Sequence, residues 1–262
     1  MNIAILSGHP NNPYARDILR ALNGRGLSQI NVVAASGGTD SRSAKALWTT
    51  YGWSLPTVFV RWLGRRFTKW MMHRFKSQQP ASDTLEAEVY AQGGRFVQVQ
   101  KINGEECCRV LDALQVDLMI LGGVPIVRES VLKMPRFGTI NAHQGELPRF
   151  RGMNVIEWAL LHNCPPTISI HFVDPGIDTG DVITMEAIPI AEGDTLNTVR
   201  TRANCLQSEL LARTALAAQA GQISSHFQRQ KDGKQYYLMH PLLRAAAERR
   251  LQHYNREAPA RA

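Results

Sequence analysis

The sequence predicts an α/β protein built on an open, mainly parallel sheet, and three observations lead there. Short all-apolar runs alternate with stretches of helical spacing through the first half of the chain, the pattern of strands joined by crossover helices. The runs are apolar throughout rather than alternating, as strands buried on both faces are. With 262 residues, 44% of them hydrophobic and 20% charged, the chain can bury a substantial core and has ordinary globular composition.

The first strand is expected at Asn2–Ser7, followed by helical spacing over Ala15–Leu22. Gln29–Ala35 reads as the second strand, Arg95–Val99 as the third, Leu118–Leu121 as the fourth and Thr139–Asn141 as the fifth, with a helix over Gly104–Leu114. After residue 165 the pattern changes. Thr167–Val173 and Val182–Ile190 read as successive strands joined by a turn around Pro175-Gly176, and a long helix runs from about Thr195 to Gln219. Those strands close the domain in antiparallel or mixed fashion. Residues 40–94 are expected as an insert between the second and third strands, making a domain of residues 1–220. Residues 221–262 are a short C-terminal extension ending in a charged helical stretch from Leu242 to Asn255.

Several function classes recede on composition. No run approaches the roughly 18 apolar residues of a membrane-spanning helix. The start, Met1-Asn2-Ile3-Ala4-Ile5-Leu6, reads as a strand rather than a signal peptide. Cys107, Cys108, Cys164 and Cys205 have no zinc-ligand spacing and suit reduced thiols, so a cytoplasmic protein is expected. The formal charge of +8 favours anionic partners, among them nucleotides, phosphosugars, polyglutamylated cofactors and anionic lipids.

The informative stretch runs from Gly138 to Gly152. A buried strand ends by presenting Asn141 and His143, two residues apart and therefore on one face. Leu147-Pro148 and Arg151-Gly152 then shape a loop before a helix starting near Asn154. Further on, Asp174, Asp178 and Asp181 sit among small residues in a turn between strands. An Asn, a His and an Asp converging beyond the strand ends would suit acyl transfer to an amine. The Asn amide and the His can stabilise a developing oxyanion, and the carboxylate can help remove the ammonium proton. Taken singly, each has a plainer reading. A lone His at a strand end is commonly a hydrogen-bonded structural residue, and an Asp-rich turn is commonly just a turn or a loose cation site. Metal binding is disfavoured because His143, His162 and His171 lack ligand spacing.

Asn141-x-His143, then Leu147-Pro148-x-Phe150-Arg151-Gly152, then His171-Phe172-Val173 with Ile177-Asp178-Thr179-Gly180, resemble the signature of the 10-formyltetrahydrofolate-dependent formyltransferases. That family includes glycinamide ribonucleotide transformylase, methionyl-tRNA formyltransferase, formyltetrahydrofolate hydrolase and amino-sugar N-formyltransferases. The resemblance follows the order of elements over about residues 1–220 and is specific over about 110–195. It implies a Rossmann-like formyltransferase fold, 10-formyltetrahydrofolate as co-substrate without a metal, and Asn141, His143 and Asp178 as the catalytic triad. It also places the pterin of the folate against Gly123, Val124, Pro125 and Ile126 and against Val173 and Asp174, held largely by backbone groups.

Where the family usually has His-x-Ser-x-Leu-Pro, this chain has Gln144-Gly145-Glu146 between His143 and Leu147. Gln144 and Glu146 are therefore candidates for contact with the acceptor, Glu146 being equally readable as a solvated loop charge. Asn11 and Asn12, in the loop opening onto the first helix, are candidates for a phosphate or sugar contact or for a plain capped turn. The residues after the long helix are too few for the C-terminal barrel of a methionyl-tRNA formyltransferase, and the start at Asn2 leaves no room for a hydrolase's regulatory domain. A nucleotide-linked amino sugar is the leading acceptor by elimination. Glycinamide ribonucleotide-type or methionyl-tRNA-type transfer, hydrolysis and a non-catalytic folate or carbohydrate-binding module stand as alternatives. Residues 61–76 carry six Lys/Arg and no acid, interleaved with Trp62, Phe67, Trp70 and Phe75. They suit a helix packed on the sheet with a solvated basic face, a contact with an anionic membrane or lipid-linked substrate, or a lid over the folate tail, nucleic acid being disfavoured. The Tyr236–Arg250 tail is a candidate for packing on a second subunit of a homodimer.

Overall fold

In the computed structural model, which describes residues 1–36 and 84–257, strands and helices alternate as β1 (Ile3–Ser7), α1 (Pro13–Gly24), β2 (Asn31–Ala35), α2 (Leu85–Ala91), β3 (Phe96–Val99), α3 (Glu105–Ala113), β4 (Leu118–Gly122), α4 (Glu129–Leu132) and β5 (Gly138–His143). A short β6 (Phe150–Gly152) leads to α5 (Val155–Leu161), then β7 (Thr167–Phe172), β8 (Val182–Ala187), α6 (Leu196–Gln219), β9 (Lys234–Tyr236) and α7 (Pro241–Glu257). Seven strands form one sheet in the order β3-β2-β1-β4-β5-β7-β8. β1 to β5 are mutually parallel, and β7 and β8 add antiparallel to β5. The expected α/β, Rossmann-like arrangement of mainly parallel strands is the one observed.

The all-apolar character of β1, β2 and β4 follows from burial on both faces. Ile3, Ile5, Val32, Ala34, Leu118 and Ile120 pack with α1, α2 and α6 on one side. Ala4, Leu6, Val33, Met119 and Leu121 pack with Cys107 and Leu111 of α3 and Val131 and Leu132 of α4 on the other. Burial pushes the Cys107 thiol up to about 12, assisted by Cys108 and Glu106, so it is an inert core group.

Thr84 to Gly94, the last part of the segment expected as an insert, supplies the crossover helix α2. Thr84 caps it by accepting from Ala87 N–H at 3.1 Å, and Leu85 and Val89 enter the core. The basic aromatic segment 61–76 lies outside the described residues. The tail read as a candidate subunit contact packs on its own chain. Its strand β9 pairs with β6 in parallel, and Ala247 and Leu251 of α7 are buried in the main core.

Strand order reverses between β1 and β4, so the loops at their carboxyl ends part to opposite faces and open a crevice there. The two loops are tied together. Asn12 caps α1 through its Oδ1, which accepts Tyr14 N–H at 3.1 Å, while its Nδ2 donates to the Gly122 carbonyl at 2.6 Å. A Cβ on Gly8 would stand 2.6 Å from the Gly123 carbonyl oxygen, so glycine is required for that approach.

α6 crosses one face of the sheet and starts with a reciprocal cap between Thr195 and Thr198. Removing the cap with Thr195→Ala should lower stability by about 1 kcal/mol, measured as a shift of the urea midpoint at constant slope.

Candidate active site

Asn141 and His143 leave the carboxyl end of β5, turned to one face by the pleat. In the antiparallel register Asn141 stands opposite His171 of β7, and His143 opposite Ser169. His171 is buried, and that desolvation pushes its pKa down, with the nearby Asp178 pulling the other way and His143 adding to the lowering. The neutral ring donates Nδ1–H to the Phe172 carbonyl at 2.7 Å, which leaves Nε2 as an acceptor. Asn141 therefore turns its amide Nδ2 to that nitrogen, at 3.3 Å. Among the described residues nothing accepts its second N–H.

His143 is buried as well, and its Nε2–H donates to the Phe150 carbonyl at 2.7 Å. The other ring nitrogen, Nδ1, faces Oδ2 of Asp178 at 3.5 Å. Oδ1 of the same carboxylate lies 3.7 Å from Nε2 of His171, and Oδ2 also accepts the Gly152 N–H at 2.9 Å. Asp178 thus stands between two imidazoles whose centroids are 6.4 Å apart. Its backbone is left-handed, with φ of 53°. Aspartate enters that region more readily than most side-chain-bearing residues, and here that conformation is what aims the carboxylate between the two rings. The three residues singled out in the sequence are brought together, in a site that can polarise a carbonyl oxygen with N–H donors and accept a proton on a carboxylate.

The Formyl transferase family model matches residues 65–215, which include the whole of this constellation. The chain belongs to the formyl transferase family. Methionyl-tRNA formyltransferase of Bacteroides fragilis is 35% identical over 131 residues, which are 50% of this chain and 40% of that protein. Methionyl-tRNA formyltransferase of Pelotomaculum thermopropionicum is 40% identical over 90 residues, 34% of this chain and 29% of that one. The chain thus matches less than half the length of these curated relatives. Among solved structures, a sugar N-formyltransferase from Shewanella sp. FDAARGOS_354 superposes with a TM-score of 0.58 at 14% identity, covering 96% of this chain and 87% of its own. Glycinamide ribonucleotide transformylase 1 from Symbiobacterium toebii gives a TM-score of 0.55 at 19% identity, with 84% and 89% covered. These likenesses show that the fold is the formyltransferase fold.

The flanking loops of this formyl transferase family member bear on its other candidate residues. Gly123 has φ of 74°, Val124 and Val173 pack against the same apolar cluster, and Pro125 and Ile126 are exposed. Asn103 holds that loop from below, accepting Arg128 N–H at 2.7 Å and donating to the Ile126 carbonyl at 2.9 Å. Asp174 braces its own turn, its Oδ1 accepting Gly176 N–H at 3.0 Å and the Thr179 hydroxyl at 2.5 Å. Ile126 and Ile177 leave apolar surface exposed on the two loops.

The candidates for acceptor contact fare differently. Asn11 is exposed on the first loop, whereas Asn12 is buried and both ends of its amide serve the cap and the loop tie. Gln144 points to α6. Its Nε2 donates to Gln207 Oε1 at 2.8 Å and Asn204 Oδ1 at 2.9 Å, while Gln207 in turn donates to the Ala142 carbonyl at 2.9 Å. Glu146 is half-exposed with Arg149 Nη1 4.0 Å away, as a loop ion pair would be. A cavity of about 230 Å³ opens beside His143, walled by Gln144, Gly152, Asn154, Arg200 and Gln207. Clefts of about 500 and 620 Å³ lie around Met1 at the amino ends of the strands, away from these side chains.

Sequence reasoning assigned no role to His171, Ser169, Gly152 or Gln228. His171 and Gly152 stood inside quoted motifs, and β5–β7 pairing would have set His171 opposite Asn141. Ser169 accepts Leu147 N–H at 3.2 Å and donates to the Gly145 carbonyl at 2.7 Å, holding the loop that follows His143.

Proposed function

We propose that this chain transfers a formyl group from 10-formyltetrahydrofolate to the primary amine of a small-molecule acceptor, a nucleotide-linked amino sugar being the class supported best. The observation that carries the reading is the convergence of Asn141, His143 and Asp178 at the carboxyl end of β5, inside the segment matched by the family. The folate, when bound, supplies an activated formyl carbon. Asn141 offers an amide N–H, and His143 in its doubly protonated form an Nδ1–H, for donation to a carbonyl oxygen, where charge develops as an amine attacks. Asp178 is the group placed to accept the ammonium proton, and His171 holds the Asn141 amide in its donating orientation. No nucleophile of the protein is needed.

Support for a sugar acceptor comes from the polar wall beside His143, made of side-chain amides and Arg200. It comes also from fold neighbours such as the Helicobacter canadensis N-formyltransferase solved with folinic acid and dTDP-3-aminofucose, TM-score 0.55 at 14% identity over 90% of this chain and 71% of that one. A second reading, methionyl-tRNA as acceptor, is favoured by the curated relatives that match in sequence. In either reading residues 1–220 form the catalytic domain. The four unpaired cysteines suit a reducing cytoplasm; no helix among the described residues is long and apolar enough to cross a membrane. Incubation with 10-formyltetrahydrofolate and a panel of nucleotide amino sugars, with methionyl-tRNA in a parallel arm, should yield an N-formylated sugar by mass spectrometry. Formylation confined to the tRNA arm selects the second reading; tetrahydrofolate released in the absence of every acceptor indicates hydrolysis.

A further inference from the structure

We propose that Gln228, in the C-terminal segment, is a positioning residue that sets the Asp178 carboxylate against His143 by holding the backbone of the Asp178 turn. The inference rests on the reading of Asp178 as part of the transfer site and adds a residue from outside that reading's motifs.

Gln228 is 3% exposed, unusual for a glutamine. Its Nε2 donates to two backbone carbonyls of the turn, that of Asp178 at 3.3 Å and that of Gly180 in a closer contact. An amide nitrogen carries two hydrogens, so one side chain can clamp both oxygens. Among the described residues its Oε1 has no partner. The side chain is therefore held from its donor end alone, and the buried acceptor is a cost the fold sustains at this position.

The clamp acts on the residue whose backbone aims the carboxylate. Asp178 is left-handed at φ 53°, and relaxation towards the right-handed region would swing its carboxylate away from both imidazoles. On one side the turn is held by the packing of Gly180, where any Cβ would overlap the Phe172 carbonyl. The carboxylate itself is held by Gly152 N–H. Asp174 braces the turn from within, through Gly176 N–H and the Thr179 hydroxyl. Gln228 adds the hold on the Asp178 and Gly180 carbonyls from outside it, and the segment carrying it is anchored nearby by paired hydrogen bonds of His226 with Val182 at 2.8 and 2.9 Å. The C-terminal segment thus reaches the site twice, through Gln228 at the Asp178 turn and through β9 at Gly152.

The test uses the full-length chain labelled with ¹⁵N. In the wild type, the two side-chain amide hydrogens of Gln228 should exchange with D₂O far more slowly than those of an exposed glutamine. Exchange at the free-amide rate overturns the proposal and needs no variant. Gln228→Met keeps length and apolar bulk but removes both donors. In that variant the imidazole ¹⁵N signals of His143 and His171 should move while that of exposed His9 stays. With 10-formyltetrahydrofolate as donor and the acceptor found by the panel, kcat should fall by roughly 100-fold, the scale of an ångström-sized misplacement, with KM for the donor changed only a few-fold. Unmoved imidazole signals in the folded variant, or wild-type kcat, overturn the positioning role and leave the formyl-transfer reading intact. Moved signals in a chain whose wild type shows no transfer uphold the positioning and sink the functional reading instead.

Discussion

Replacing His143 with alanine should lower acceptor-dependent formyl transfer by roughly 10²- to 10⁴-fold, the contribution of a positioned acid–base group. The ring is buried and its Nε2–H is committed to the Phe150 carbonyl. The variant therefore also leaves that carbonyl without its partner, costing about 1–3 kcal/mol of stability. A circular-dichroism melt separates the two effects. In the folded variant, binding of folinic acid should persist if the loops at 123–127 and 173–174 hold the pterin as proposed, because no hydrogen bond of the imidazole reaches them. Asn141→Ala should remove an N–H donor worth roughly 10²- to 10³-fold in kcat, and it also takes from the buried Nε2 of His171 the donor it now has, so the same melt is needed beside the kinetics. Wild-type turnover by folded His143→Ala would refute the assigned roles.

Gly152→Ala is the second substitution with a large expected effect, and it acts through the backbone. Gly152 has φ of 95°, and a Cβ there would overlap the Tyr236 carbonyl of the paired strand β9. Neither fault can be relieved by rotating a side chain. The residue must change conformation, which costs more than about 1 kcal/mol, and the β6–β9 pairing must open. Opening it loosens the contacts that hold Phe150, Trp158 and Tyr236 together, with ring centroids 5.5 and 5.0 Å from Tyr236. It also withdraws the Gly152 N–H from Asp178. Stability and transfer should therefore fall together, measured by urea titration and by tetrahydrofolate release.

The sheet was legible because its strands are buried on both faces. Ile3–Ser7 and Leu118–Gly122 read as unbroken apolar runs for that reason, and helix spacing around Ile18, Leu19 and Leu22 follows from a one-sided stripe. β6 and β9 were not legible. Each is three residues long, too short for any periodicity, and their pairing joins residues more than eighty positions apart. The helix at Leu85–Ala91 was absorbed into the expected insert because only Leu85 and Val89 mark its buried face. Asn141, His143 and Asp178 could be found because their spacing and strand-end placement carry chemistry. Asn12 and Gln144 illustrate the opposite case. An amide that caps a helix or cross-links two elements is the same residue type as one that binds a sugar, and only the hydrogen bonds tell them apart. Gln228 gave no signal, since its role depends on a turn fifty residues earlier.

The most direct measurement follows free tetrahydrofolate and N-formylated nucleotide amino sugar in one reaction with 10-formyltetrahydrofolate, using wild-type chain and Asp178→Asn. The site described here predicts one tetrahydrofolate released for each sugar formylated by the wild type, and loss of both products together in the variant. Formylation that continues at the wild-type rate in folded Asp178→Asn would contradict it.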